Sequence, residues 1–261
     1  MLRHTGTKRT FRHNLQLATF LSLAAGFVNA AGLMAFAVLT TNITGHAATF
    51  AADLTLDDMR AVKMAGVGLL LFLAGAFFSG IYTRSMGRHK RFVYTVPLLI
   101  VLSILAYVAL YGYTYDGSME KRGHFAGSLL FAMGIQNAMV SVVSHSVVRT
   151  THLTGIMTDF GIALADAVRS RLKLGKLLRQ RLILHINIII PFLTGGVLGA
   201  FSFSEFRYYA FFIPAGIMLF VIFFDAFRVR VLLIRHHFFL RNRRRVAARR
   251  VRLLRKTAAN K

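Results

Sequence analysis

A six-residue segment of this chain occurs twice. Thr40-Thr41-Asn42-Ile43-Thr44-Gly45 returns as Thr150-Thr151-His152-Leu153-Thr154-Gly155, 110 residues later. Upstream, Gly26-Phe27-Val28-Asn29-Ala30 returns as Gly134-Ile135-Gln136-Asn137-Ala138, at an offset of 108. The order is kept and the spacing changes by two residues. Self-similarity at one fixed distance marks an internal duplication, here with the period of a half-protein rather than of a solenoid unit. Any fold must therefore place this polar, small-residue sequence twice.

The surroundings of both copies are apolar. Hydrophobic residues make up 56% of the 261, and charged ones 16%, against about 25% charged in an ordinary soluble domain. A bilayer core about 30 Å thick is crossed by about 20 apolar helical residues. Six runs meet that length: Leu15–Leu39, Met64–Thr83, Phe92–Tyr113, Phe125–Val148, Leu182–Phe203 and Tyr208–Phe227. The reading is an all-α polytopic membrane protein with six transmembrane helices.

The basic residues set its orientation. With six spans, the N-terminus, the loops after spans 2 and 4 and the C-terminus share one side. They carry 28 of the 33 Lys and Arg residues; Arg60, Lys63, Lys121, Arg122 and Arg207 lie on the other. That asymmetry follows the positive-inside rule and puts both termini in the cytoplasm. Topology explains the net charge of +24 better than nucleic-acid binding does. Arg3, Lys8, Arg9 and Arg12 before the first run raise a removable signal peptide. Cleavage near Ala30 would delete one copy of the repeat, so an uncleaved first span is expected.

Five segments result: a basic N-terminus (1–14), repeat 1 (15–113), an external loop (114–124), repeat 2 (125–227) and a basic tail (228–261). Leu71-Phe72-Leu73-Ala74-Gly75 in span 2 echoes Pro191-Phe192-Leu193-Thr194-Gly195 in span 5, and Pro97 echoes Pro214. Three spans per copy is an odd number, so the second copy enters from the opposite side. The expectation is two inverted three-helix repeats, an arrangement that recurs among secondary transporters. The segments Thr44–Leu56 and Thr154–Arg169 are too short to span. Each is either an amphipathic helix on the membrane face or a re-entrant half-helix. Thr is expected to cap its start and Gly to allow a sharp turn there.

At these motifs the chain resembles the YoaK-type family of bacterial inner-membrane proteins, over about residues 15–227. The resemblance implies the fold and an inner-membrane location, and no established activity. Relatives with this pattern often carry Asp where Asn29 stands and Asn where His46 stands. If that carboxylate couples transport to protons in relatives, this chain lacks it.

Asn29, Gln136 and Asn137 fall inside spans, where a carboxamide is costly unless hydrogen-bonded. They either line a polar path or only tie helices together. Thr44-Gly45 and Thr154-Gly155 either present helix N-termini to an anion or form turns at the membrane edge. His145, His152, Asp159 and Asp166 recur every seven residues, about 10 Å apart on a helix, too far for one metal. Arg149 paired with Asp159 or Asp166, beside His152, is the preferred alternative, as a gate. Asp225 with Arg228 reads as an interfacial pair. Gly195, Gly199, Gly75 and Gly80 read as close helix packing.

No cysteine is present, and no nucleotide, metalloprotease or nucleophile motif occurs, so no enzyme, metal or cofactor is expected. The expected partners are the bilayer, anionic lipid at the basic tail and a small solute. A homo-oligomer stays open. The leading reading is a transporter of a small anion or polar solute. An ion channel on the same architecture, or a membrane scaffold whose basic tail recruits partners, are the alternatives.

Overall fold

The computed structural model describes residues 11–86, 93–144, 148–171 and 175–224. It is helical, with no strand among the described residues. In chain order the helices are α1 (Phe11–Phe36), α2 (Ile43–Thr55), α3 (Met59–Ser85), α4 (Thr95–Tyr111), α5 (Met119–Ser144), α6 (Leu153–Arg169) and α7 (Lys176–Phe206). A last helix, α8, covers 212–224. One compact unit runs through Ile222; the second begins at Phe223. The tail 228–261, the Asp225–Arg228 pair and His145 lie outside the described residues.

Five stretches are long and apolar enough to cross a membrane: Leu15–Phe36, Met59–Ser85, Thr95–Thr114, Met119–Ser144 and Lys176–Phe224. The sixth expected run is merged into the fifth stretch, whose 49 residues would reach about 74 Å as one straight helix. It is not straight. Arg207 takes φ 50° and residues Arg207–Phe211 form a 3-10 turn. Phe36 meets Tyr208 and Phe20 meets Phe220, with centroids 5.8 and 5.1 Å apart. The chain therefore reverses at Arg207, and α8 runs back along α1.

The interior belongs to α1 and α5, which bury Leu17, Leu21, Val28, Leu129, Met133 and Met139 among others. In contrast, α3 buries mainly small residues, and α3 and α7 turn Leu70, Leu73, Phe77, Ile190, Leu193 and Phe201 outward. A soluble monomer rarely exposes a continuous apolar belt of this kind; hydrocarbon covers it. This is a multi-pass membrane protein of helices.

Two helix pairs dominate the packing, α1 with α7 and α3 with α5. A Cβ on Gly26 would strike the Phe192 carbonyl oxygen, and one on Gly195 that of Leu23. A Cβ on Gly134 would strike the Phe72 carbonyl, and one on Gly75 that of Phe131. The second set is the first carried over by 108 residues in one helix and 120 in the other. In both pairs the contacts advance in the same direction, so the partners are parallel. Gln136 on Leu21 and Phe36 on Phe125 make α5 antiparallel to α1. The segments α1, α3, α4, α5, α7 and α8 thus alternate in direction. Gly80 has no atom within 4 Å of where its Cβ would stand, so it is not a packing glycine; it faces outward.

The loop expected over 114–124 is largely helix. Ser118 Oγ accepts the Lys121 N–H at 3.3 Å, and α5 starts at Met119. Asp116 is held well below the usual carboxylate range, first by the Lys121 ammonium 2.8 Å away and then by Ser118.

Candidate functional site

After Phe36 the chain doubles back. Ala37 takes φ 55°. The Thr40 side chain lies against Gly32, and the Thr41 N–H donates to Asn29 Oδ1 at 3.0 Å. Asn29 is seven residues before the end of α1, so the connection re-enters by about 10 Å before α2 starts. α2 is capped by Asn42, whose Oδ1 accepts from Gly45 N–H at 3.1 Å and Thr44 O–H at 2.8 Å. The expected Thr cap is thus corrected. The hydroxyl of Thr44 serves the Asn42 carboxamide, which reaches N–H groups that its own Oγ does not.

The second copy uses different chemistry. Ser144 Oγ donates to the Val148 carbonyl at 3.2 Å and accepts its N–H at 2.9 Å, closing the end of α5. His152 stands at the N-cap of α6 and makes no capping bond. Neither Gly45 nor Gly155 has positive φ, so neither serves a sharp turn. A Cβ on Gly45 would sit 2.9 Å from Asn42 Nδ2, and one on Gly155 would meet the His152 ring. These glycines make room for the cap side chain.

Both copies face one cavity of about 750 Å³. Asn29 and Asn137 line it, as do Thr44 and Thr154, Thr41 and Thr151, Asn42 and His152, and Phe72 and Phe192. Each pair joins equivalent positions of the duplication. Leu39 and Arg149 form another pair, and Ser141 completes the polar wall. Arg149 is the charged lining residue, and no carboxylate is among them. The first residues of α2 and α6, with their free N–H groups and positive dipole ends, add to the same sign of potential. The charge of the lining is positive.

The halves are not in the same state. Asn29 Oδ1 is engaged by Thr41, whereas Asn137 Oδ1 is buried with no partner among the described residues. The hydroxyls of Thr40 and Thr150 are both buried and unpartnered there.

Two further cavities flank this one at opposite ends of the helices. One, about 620 Å³, lies where α1 ends and α3 and α5 begin; Leu39, Gly45, His46, Asp53, Arg60 and Lys63 are among its lining. There the His46 Nε2 is 2.6 Å from the Leu39 carbonyl. The other, about 420 Å³, lies where α5 ends and α7 begins, and includes Arg149, His152, Gly155, Asp159 and His185. Leu39 lines the first and the central cavity; Arg149 and His152 line the second and the central cavity.

Several expected site residues stand elsewhere. Gln136 is fully buried and its Nε2 donates to the Leu21 carbonyl at 3.0 Å. One position along α5 from Asn137, it is turned about 100° away and ties α5 to α1. Gly45 and Gly155 line the flanking cavities, not the central one. Arg149 forms no ion pair with Asp159 or Asp166; among the described residues the ion pair is Lys121 with Asp116. Asp159 shares a cavity with Arg149 without touching it, and the exposed Asp166 lies two turns further along α6, outside that lining. Sequence reasoning passed over Phe72, Phe192, Ser141 and His185. The first two sit in the echo between spans 2 and 5, and His185 is the one titratable residue in the apolar run from Leu182.

No curated protein and no solved structure matches the chain. The family described as protein of unknown function (DUF1275) matches residues 17–224, from α1 through the last described helix, and the chain belongs to that family, of which YoaK is also a member.

Proposed function

We propose that this protein is a small inner-membrane transporter of six spans, built as two inverted three-span repeats, carrying a small anion by alternating access. The observation that carries the reading is the central cavity, walled by equivalent residues from both halves. A scaffold has no need of a cavity at the duplicated motif. Alternating segment directions and matching parallel pairs support the inverted arrangement, and the basic residues support cytoplasmic termini. The re-entrant starts of α2 and α6 resemble the broken helices that aim N-termini at solute in other transporters. Arg149 and those helix starts favour an anion. The unequal hydrogen bonding of Asn29 and Asn137 favours a carrier over a channel, since alternating access holds two equivalent halves in unlike conformations.

Proteoliposome uptake of chloride, nitrate, acetate, phosphate and sulfate tests the reading. At least one anion is expected to enter faster than into protein-free vesicles. Arg149→Gln and Asn137→Leu each lower that flux by about tenfold, corresponding to the loss of one charge-assisted or buried hydrogen bond. Flux unchanged in Asn29→Leu and Asn137→Leu removes the cavity from the path.

A further inference from the structure

We infer that His185 is a proton-binding site whose charge sets passage between the 420 Å³ cavity and the central one. The inference deepens the transport reading and rests on it for its purpose. The site itself stands on separate observations.

His185 is more than nine-tenths buried, at 8% exposure, and it lines the polar cavity between α6 and α7. Its Nδ1 is buried with no hydrogen-bond partner among the described residues. The Phe160 ring stands edge-on to it, centroids 6.3 Å apart, and offers no acceptor. A buried imidazole nitrogen left unpaired destabilises the fold, so the residue does not stand there as a structural tie. Asp159 and Arg149 line the same cavity with opposite charges, so the fixed charges there offset each other and do not by themselves select an anion as the ligand of His185. Among the described residues no group of three metal-ligating side chains forms there. The ligand that suits one imidazole opposite one carboxylate is a proton.

The duplication shows that this pair is present in one half only. The position equivalent to His185 is Ala65, and that equivalent to Asp159 is Thr49; both line the opposite flanking cavity. The charged and titratable groups facing His185 are Asp159 from α6, Arg149 and His152 from the connection before it, and Arg181 one turn earlier on α7. No α1 residue is in the cavity lining. A protonated His185 attracts Asp159 and draws α6 against α7, narrowing the cavity. A neutral His185 frees Asp159 to answer Arg149, and the way to the central cavity opens.

The chain has no cysteine, so single thiols are unambiguous reporters. Ser141→Cys places one in the central cavity. Ser85→Cys places another on the exposed end of α3, at the same end as the His185 cavity. An impermeant thiosulfonate is applied to vesicles from the side on which Ser85→Cys reacts, and the Ser85→Cys rate corrects for thiolate fraction. The corrected Ser141→Cys rate is expected to fall about threefold between about pH 8 and about pH 5, along a single-proton curve. In Ser141→Cys with His185→Gln that fall disappears. A corrected rate independent of pH, or no reaction at any pH, overturns the inference, as does a fall that survives His185→Gln. Should the His185→Gln chain not fold, Asp159→Asn on the exposed face of α6 must abolish the fall, and its persistence overturns the inference equally. Flux without pH-gated labelling refutes the proton site alone, and gated labelling without flux refutes the transporter alone.

Discussion

Gln136 and Asn137 are neighbours of the same polarity, and the structure gives them opposite tasks. Gln136 makes one hydrogen bond with its Nε2 and leaves its Oε1 buried and unpartnered. A typical hydrogen bond contributes about 1 kcal/mol net, whereas an unsatisfied buried polar atom costs about 1–3 kcal/mol. The two terms roughly cancel. Gln136→Leu is therefore expected to leave thermal stability in detergent within about 1 kcal/mol of the parent, or to raise it, and to leave anion flux intact. A larger loss in either measurement would return Gln136 to the path. That Asn29 and Asn137 occupy equivalent positions was legible in the sequence, because the duplication marked them. Which of two neighbours faces the cavity was not, because it depends on the rotation of α5 against α1. The unpaired state of Arg149 was equally hidden, since seven-residue spacing gives a stripe only on an unbroken helix, and here α5 ends at Ser144 while α6 starts at Leu153.

Glycine sets the distance between helices. Gly26, Gly75, Gly134 and Gly195 each bring a partner's backbone where a methyl group would stand. Neither side can yield, because the atom met is a carbonyl oxygen of a packed helix. Gly26→Ala and Gly134→Ala are each expected to destabilise by about 3 kcal/mol or more, by similar amounts, since they are equivalent positions. Gly80→Ala, with open space around it, is the matched control and should cost nothing measurable. Thermal denaturation of the three variants checks this. A small effect at Gly134 beside a large one at Gly26 would break the equivalence of the two pairs. The small-residue pattern was readable as close packing; which glycines pack was not, as Gly80 shows. The ends of α2 and α6 were legible to within a residue, expected at Leu56 and Arg169 and found at Thr55 and Arg169, but the backbone that makes them was not. Both stop two residues before a non-glycine in left-handed conformation, Asp57 at φ 56° and Arg171 at φ 51°. Asp adopts that conformation more readily than most side chains, whereas Arg does not announce it.

At the scale of the molecule, the apolar runs and the basic asymmetry were enough to read a multi-pass helical bundle. The boundaries moved because polar ends such as Met59–Lys63 and Met119–Arg122 prolong helices that apolar content alone cuts short. The re-entrant connection before α2 escaped composition altogether, because it is made by one side-chain bond to Asn29 and one positive φ at Ala37. The proposed alternating access requires a reciprocal motion: as one flanking cavity widens the other narrows, about the central cavity lined by both halves. Spin-label distances in the cysteine-free background read this directly. Thr55→Cys with Gly123→Cys spans the 620 Å³ end, and Ala165→Cys with Leu15→Cys spans the equivalent positions at the other. On adding the anion selected in the uptake assay, the two distance distributions are expected to shift in opposite directions; a shift of both in the same sense, or of neither, contradicts alternating access between the repeats.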